Sequence, residues 1–454
     1  MRSFPNFIAV VALSLMVARP VAAQQPNVSL SIREAEASEP RLARWAGREM
    51  KDLQTGPPSA PPTSGYGMTM AEIESAALRH HPTLVQAARR LEAARGKHLQ
   101  AGLWPNPTLG YIAEEMNDDG RAGQQGMFFG QQITTGGKLR RARAAVSHEV
   151  AMARQELAIQ RHRVINDARM AAYSAMGAQR SLDIAEQLMQ IGQEGKKVAE
   201  DLLKAQEVSR VDVLQARIEA NTARLQRDEA LSDVAATWRR LAIAMGTPGL
   251  ATTRVEDRLD GELPELVFDD ALARLLAASP ELARARSAVS RAECELARQC
   301  AERVPNVDFE GSVRYNTASE ETVASVGIGV PLRIFDRNQG NIYRARAELG
   351  AAQQEVRRVE LSLRDRLAEA FREHAVARQR TDHYRQEILP DAKDSLELVQ
   401  EGYRRGEFGY LELLTAQRTY FRANLAYVAA LESLWSSHTK IDGLLLTGGL
   451  EPLD

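Results

Sequence analysis

Cysteine is almost absent from this chain: its 454 residues contain two, Cys294 and Cys300. Both fall in a stretch with helical spacing, where six residues at about 1.5 Å rise place them roughly 9 Å apart. That is beyond disulfide reach, so the two are expected to be packing residues. Long apolar runs are lacking as well. After the first 23 residues no stretch of 18 apolar residues occurs, which excludes a transmembrane helix. Neither sign of charge dominates, with 58 Lys and Arg against 60 Asp and Glu. Such a balance argues against nucleic acid or an anionic membrane surface as partner. Catalytic signatures are missing too: there is no Gly-rich phosphate loop, Gly-x-Ser-x-Gly, His-Glu-x-x-His or Cys-x-x-Cys. The eight histidines show no metal-ligand spacing. His374 and His383 stand nine apart on a helix, and the adjacent His80 and His81 point in different directions. All are expected to be exposed or capping. The expectation is no catalysis, no cofactor and no metal site.

What is present is alternation. Val307, Phe309, Gly311, Val313 and Tyr315 fall on one parity; Asp308, Glu310, Ser312 and Arg314 fall on the other. After a polar break at Thr317 to Glu321, Ala324, Val326, Ile328, Val330 and Leu332 alternate with Ser325, Gly327 and Gly329. Side chains of a strand alternate between its faces, so each run predicts a strand with one apolar and one polar or tiny face, and the break makes a hairpin. The period then changes. Ile342, Ala345, Leu349, Ala352, Val356, Val359 and Leu363 recur at coiled-coil spacing.

This join of hairpin to long helix occurs twice. About 200 residues upstream, Trp104-Pro105-Asn106-Pro107 matches Val304-Pro305-Asn306-Val307. Gly137 to Ala144 matches Gly340 to Ala347, and Val211-Asp212-Val213-Leu214-Gln215-Ala216 matches Leu411-Glu412-Leu413-Leu414-Thr415-Ala416. His81-Pro82 likewise matches Ser279-Pro280. The repeat covers most of the chain. Helices are predicted from Met70 to Leu103 with an interruption at His81-Pro82, from Lys138 to Lys204, and from Asn341 to Arg404. Return helices are predicted from Val211 to Met245 and from Leu411 to Leu446. A helix of roughly 67 residues is about 100 Å long. Gly192, Gly195 and Pro390 are expected to bend or break the long helices. The first hairpin, Thr108 to Met116 with Gly126 to Ile133, alternates less cleanly.

Around the repeats, Arg2, the apolar run Phe7 to Val17 and Val21-Ala22-Ala23 predict a signal peptide over 1–23. No cysteine lies near its cleavage site, so no lipid anchor is expected. A Pro-rich segment and linker follows at 24–67, then repeat 1 at 68–249, a linker at 250–266, repeat 2 at 267–447 and a tail at 448–454.

The four strands have membrane-spanning length, but four cannot close a barrel, and an open edge cannot stand in lipid. Transmembrane barrels need eight strands or more, so the chain must oligomerise. Two copies would give eight strands and three would give twelve. A soluble sheet under a helical layer is the competing reading.

Two tandem repeats of helix, hairpin, long helix and return helix behind a signal peptide resemble the TolC-type outer-membrane efflux factors. The Val-Asp-Val-Leu-Gln-Ala and Leu-Glu-Leu-Leu-Thr-Ala elements, and Gly402-Tyr403-Arg404-Arg405-Gly406, match that family's hairpin-tip motif. Gln132 and Gly136-Gly137-Lys138 are more similar to the heavy-metal efflux branch than to the multidrug branch. The resemblance implies a mainly α protein with a small β part. It implies a trimer with a 12-stranded outer-membrane β-barrel and a periplasmic α-helical barrel. It also implies a passive tunnel for metal cations or small toxic compounds, served by a periplasmic adaptor and an inner-membrane pump of the RND type. The helix turns at Glu207–Arg210 and Gly406–Tyr410 would form the periplasmic end. Tyr403 matches a tyrosine of the closing network, and Asp212 its acidic partner. Glu412 keeps the first of two pore carboxylates, while Thr415 lacks the second. Phe408 stands where that network has an arginine. Three copies of Glu412 would make a charged ring, a standard source of ion selectivity; solvated helix-surface residues are the plain alternative for Glu412 and Asp212. The rival classes are a periplasmic adaptor and a secreted coiled-coil protein.

Overall fold

The computed structural model describes residues 67–116, 122–206, 208–261, 263–405 and 407–451. The predicted signal peptide, nearly all of the Pro-rich segment and the tip positions Glu207 and Gly406 lie outside the described residues. So do the last three residues of the tail.

Helices α1 (Met70–His80) and α2 (Pro82–Gln100) meet at His81, as His81-Pro82 predicts. Thr69 and Glu72 form a capping box that starts α1, and Pro82 occupies the first turn of α2, where its missing N–H is no loss. Strands β1 (Thr108–Met116) and β2 (Ala122–Ile133) follow, then α3 (Lys138–Lys204) and α4 (Arg210–Ala244). The second copy runs α5 (Phe268–Ala278), α6 (Pro280–Ala301), β3 (Val307–Asn316), β4 (Glu321–Gly329) and α7 (Gln339–His383). A π-helical turn (Tyr384–Ile388), α8 (Leu389–Arg404) and α9 (Tyr410–Asp442) complete it. The chain is mainly helical with a small strand part, in two tandem copies.

The four strands form one antiparallel meander in the order β1-β2-β3-β4. Its register places Leu109, Met127, Phe129, Val313, Val326 and Ile328 on one face, all of them exposed. Glu114, Gln132, Asp308, Glu310, Ser312 and Arg314 share the other face. Arg314 pairs there with Glu114 across the sheet, and Gln132 Nε2 donates to Asp308 Oδ1 at 3.0 Å. The weaker alternation of the first hairpin has a local cause. Phe128 lies on the polar face and covers the space beside Gly110, where a Cβ would come within 2.4 Å of its ring.

The helices pack around several apolar clusters, of which two are the largest. In the first, Ile73 of α1, Val164 and Ala172 of α3, and Trp238 and Leu241 of α4 are almost wholly buried. In the second, Leu275 of α5 and Leu282 of α6 meet Leu363 and Leu367 of α7. The segment between the copies is laced to the start of the first: Met68 N donates to Arg254 O at 2.7 Å, and Glu256 N donates to Met68 O at 3.0 Å. Trp435 of α9 donates to Leu259 O at 2.6 Å, fastening the same segment from the other side.

Several expectations need correction. α3 runs through Gly192 and Gly195 without a break. Gly192 is instead a contact point, since a Cβ there would sit 3.3 Å from Ala220 Cα of α4. Pro390 does interrupt its helix, as a π-helical turn just upstream that absorbs the lost backbone donor. α7 begins two residues early, at Gln339, because Asn338 takes a left-handed conformation (φ 60°) and its side chain bonds Gln299 at 2.8 Å. α9 stops at Asp442, not Leu446. Asn166 Nδ2 donates to Gly443 O and Leu446 O, and this drawn-in turn puts Leu444 and Leu445 at positive φ. Cys294 is partly exposed and Cys300 exposed, so the latter is no packing residue in this chain. His374 is neither exposed nor capping. It is buried between α7 and α9, shares a hydrogen bond with Ser437 Oγ at 3.3 Å, and has its pKa held near 4, first by burial and then by neighbouring His438.

Candidate functional site

Two places concentrate polar groups: the join between sheet and helices, and the far end of the long helices. At the join, Gly137 caps α3 in the left-handed conformation (φ 65°). The next residue, Lys138, is buried. Its Nζ donates to Asn306 Oδ1 at 2.6 Å and lies 3.4 Å from Glu302 Oε2. The start of the first copy's long helix is thereby braced against the lead-in to the second copy's hairpin. Lys138 and Asn306 are both visible as motif residues in the sequence, but their pairing across 168 positions is not.

At the far end, the paired motif residues take up equivalent places. Ser209 caps α4 and Asp212 stands three residues later. Ser209 N and Oγ both donate to the Asp212 carboxylate, at 2.9 and 2.7 Å, and Asp212 N donates back to Ser209 Oγ at 3.3 Å. This is a capping box, which satisfies donors that the first helical turn leaves open. Glu412 has the same place in α9, but Gly409 offers no side chain to cap with. The Glu412 carboxylate folds back instead, to within 2.8 Å of where a Gly409 Cβ would be. Glu412 is exposed.

Tyr403 near the end of α8 is half-buried, and its ring centroid lies 6.2 Å from that of Tyr410 at the start of α9. Burial raises the Tyr403 phenol above its ordinary pKa, and the charge of Asp212 adds to this. Asp212 and Tyr403 are thus close enough to interact electrostatically. Among the described residues no hydrogen bond joins them; both Ser209 donors go to one Asp212 oxygen, Oδ2. Tyr410 is pushed further, to about 12, chiefly by burial with Glu219 and Tyr403 adding and Arg418 opposing.

Sequence reasoning missed the strongest cross-helix contact in this region. Glu219 of α4 is buried, and Arg418 of α9 holds both its oxygens: Nε donates to each at 3.2 Å, and Nη2 donates to Oε2. The two residues sit seven and six positions beyond Asp212 and Glu412. Opposite charges at nearly the same register of the two copies were the available signal. Among the described residues no group of three or more His, Cys, Asp or Glu is placed to hold a metal ion.

The model of the outer membrane efflux protein family matches this sequence over residues 74–247 and again over 271–445. The chain belongs to the outer membrane efflux protein family. Among its relatives, the cobalt-zinc-cadmium resistance protein CzcC of Cupriavidus metallidurans is 27% identical over 388 residues, covering 86% of this chain and 92% of its own. The nickel-cobalt-cadmium resistance protein NccC of Alcaligenes xylosoxydans xylosoxydans is 26% identical over 359 residues, covering 76% and 77%. Among solved structures, the outer membrane protein VceC of Vibrio cholerae superposes with a TM-score of 0.67 at 18% identity, covering 83% of this chain and 96% of that one. That likeness shows a shared fold. The two matched segments of the family model fall on the two copies described above, one on each.

Proposed function

We propose that this efflux protein is the outer-membrane channel of a tripartite export system and that three copies form one passive tunnel. The observation that carries the reading is the open four-stranded meander. Its outward face presents Leu109, Phe129, Val326 and Ile328 to the surroundings, and its two edge strands have no partner strand among the described residues. An edge left open in hydrocarbon costs several kcal/mol per unsatisfied backbone group. Three meanders side by side give twelve strands and leave no edge. A leader over 1–23 that directs export, without a lipid anchor, and the division into copies at 68–249 and 267–447 belong to the same proposal.

In this reading the helices extend into the periplasm, and their far end meets an adaptor coupled to an inner-membrane pump of the RND type. The chain catalyses nothing; energy comes from the pump. The exported substrates are divalent metal cations, a reading supported by relatives named for cobalt, zinc, cadmium and nickel resistance. Asp212, Tyr403 and Glu412 mark the gate. What supports this is their common position beside the far-end turns, with Tyr403 in the last turn of α8, Asp212 and Glu412 in the first turns of α4 and α9, and Glu412 exposed.

Fractionation and crosslinking test the assembly. The expected result is a trimer in outer-membrane fractions and metal sensitivity in cells that lack the protein. Monomers only, or a wholly soluble periplasmic protein, would overturn it.

A further inference from the structure

Near the far end, the chain consists of two helical hairpins, α3 with α4 and α8 with α9. Each hairpin has its own internal fastenings, such as Arg217 of α4 with Glu200 of α3 at 2.9 Å. The carboxylates in the first turns of the two return helices are engaged locally. Asp212 serves Ser209 at the start of α4, and Glu412 folds over Gly409 at the start of α9. Neither bridges the hairpins by a hydrogen bond. Two other contacts do. Tyr410, the first residue of α9, packs against the small cluster of Ala199, Val213 and Ala216 on the first hairpin. Its hydroxyl lies 3.5 Å from where a Cβ on Gly195 would stand, so the ring fills a notch that any larger residue at 195 would narrow. About two turns further along α9, Arg418 grips the buried Glu219 of α4 through both carboxylate oxygens.

We propose that Glu219 with Arg418, together with Tyr410 seated beside Gly195, is a clasp that holds the second hairpin against the first and must release for the far end to widen. The inference rests on the channel reading and assigns its restraint to residues outside the Asp212, Tyr403 and Glu412 set. The chemistry favours a switch over a permanent strut. Glu219 is buried while the Arg418 side chain is about half exposed, so one partner can pull away into water. Removing it strands a buried carboxylate, which can recover its hydration only if the hairpins part. The aromatic seat is apolar and non-directional, so it permits the sliding that an interlocked set of hydrogen bonds would resist. Arg418 and Tyr410 lie on one helix, so one displacement of α9 undoes both.

The test is conductance of the purified full-length protein in planar bilayers, beside its assembly state on gels. Arg418→Ala should raise conductance several-fold, and Glu219→Arg combined with Arg418→Glu should bring it back toward the parent value. Glu219→Cys with Arg418→Cys, in a Cys294→Ser, Cys300→Ser background, should conduct like Arg418→Ala when free. It should return to low conductance once a short bismaleimide joins the two thiols. This crosslinking arm, read on assembled protein before and after the linker is added, keeps the test alive if Arg418→Ala fails to assemble. Parent-like conductance in the free cysteine pair, unchanged by the linker, would overturn the clasp. Assembled protein that forms no pore in any variant would overturn the channel reading instead.

Discussion

The two copies follow one plan but are fastened differently at the far end. In the first, α3 runs unbroken for 67 residues and α4 begins with a complete capping box. In the second, the outgoing helix is interrupted by the π turn at Tyr384–Ile388, and α9 begins at a glycine without a side-chain cap. A capping box is worth about 1 kcal/mol, whereas a glycine cap contributes less and leaves the first turn freer. A π turn holds its backbone less regularly than the helix around it. The first hairpin is therefore expected to be the stiffer member and the second the freer to shift. The two copies keep one outline, and their different fastenings are expected to divide the roles of frame and moving part.

The predictions that would break or sharpen this comparison start where the copies should behave alike. In the sheet both contribute to one apolar face, so Phe129→Arg and Ile328→Arg should each cost about 2–4 kcal/mol in assembly, whereas Ser325→Arg costs little. Heat-modifiable mobility measures this, and equal tolerance at all three positions would sink the assignment of faces. Next, Asp212→Ala with Tyr403→Phe should favour the open state and raise conductance. The carboxylate bonds it removes at Ser209 are worth about 1 kcal/mol. Glu412→Gln should lower cation preference and leave trimer stability unchanged, because charge goes and shape stays. Parent-like conductance and selectivity would remove these residues from the gate.

A third prediction concerns the contact of α9 with α3. Glu432 lies against Gly177, with a carboxylate oxygen 1.5 Å from where a Cβ would be, and burial raises its pKa to about 7. A carboxylate whose folded pKa is raised stabilises the fold while protonated, so this contribution is present at low pH and declines as pH rises from about 4.5 through 7. Glu432→Gln should remove that decline and stabilise the protein at neutral pH by about 1–2 kcal/mol, once solvent screening of a partly exposed group is allowed for. Thermal unfolding between pH 5 and 8 reads it; parallel curves for parent and variant would refute it. The smallest effect is at the caps. Ser209→Ala should cost about 1 kcal/mol and loosen the first turn of α4, while Gly409→Ser should gain only a few tenths in α9. Hydrogen exchange at the two turns would register both. Equal protection of the turns in the parent protein would contradict the division into frame and moving part.

Much of this architecture is legible in the chain because its periods are so clean. Strands β3 and β4 announce themselves, since lipid-compatible residues fall on a single parity. The span Lys138 to Lys204 carries no proline and reads as one helix. What escapes is whatever depends on a second element. Gly192 signals a bend when only its own helix is considered, but its lack of a side chain is used for close approach to Ala220. Phe128 spoils the alternation of β2 because it compensates for Gly110 on another strand. His374 is unremarkable until α9 covers it. At the candidate gate, the motif exposes Asp212 and Glu412, whose first task is to serve their own helix starts. Glu219 and Arg418 are 199 positions apart, and only the packing of the hairpins brings them together. The end of α9 is likewise set by Asn166, far away in the first copy.

That last contact has a bearing on the order of events during synthesis. Asn166 donates to the carbonyls of Gly443 and Leu446, and neighbouring Asp167 accepts from Gly448 N and Gly449 N at 3.1 and 2.6 Å. These polar groups sit midway along the first long helix, yet their partners are made nearly 280 residues later. Until then, burying that stretch of α3 would leave amide and carboxylate groups unsatisfied, a cost of about 1–3 kcal/mol for each. The first copy alone is therefore expected to be less stable than the same residues in the full chain. Residues 443–449 are thus a latch: their docking along α3 completes the first copy and ends the second in one step.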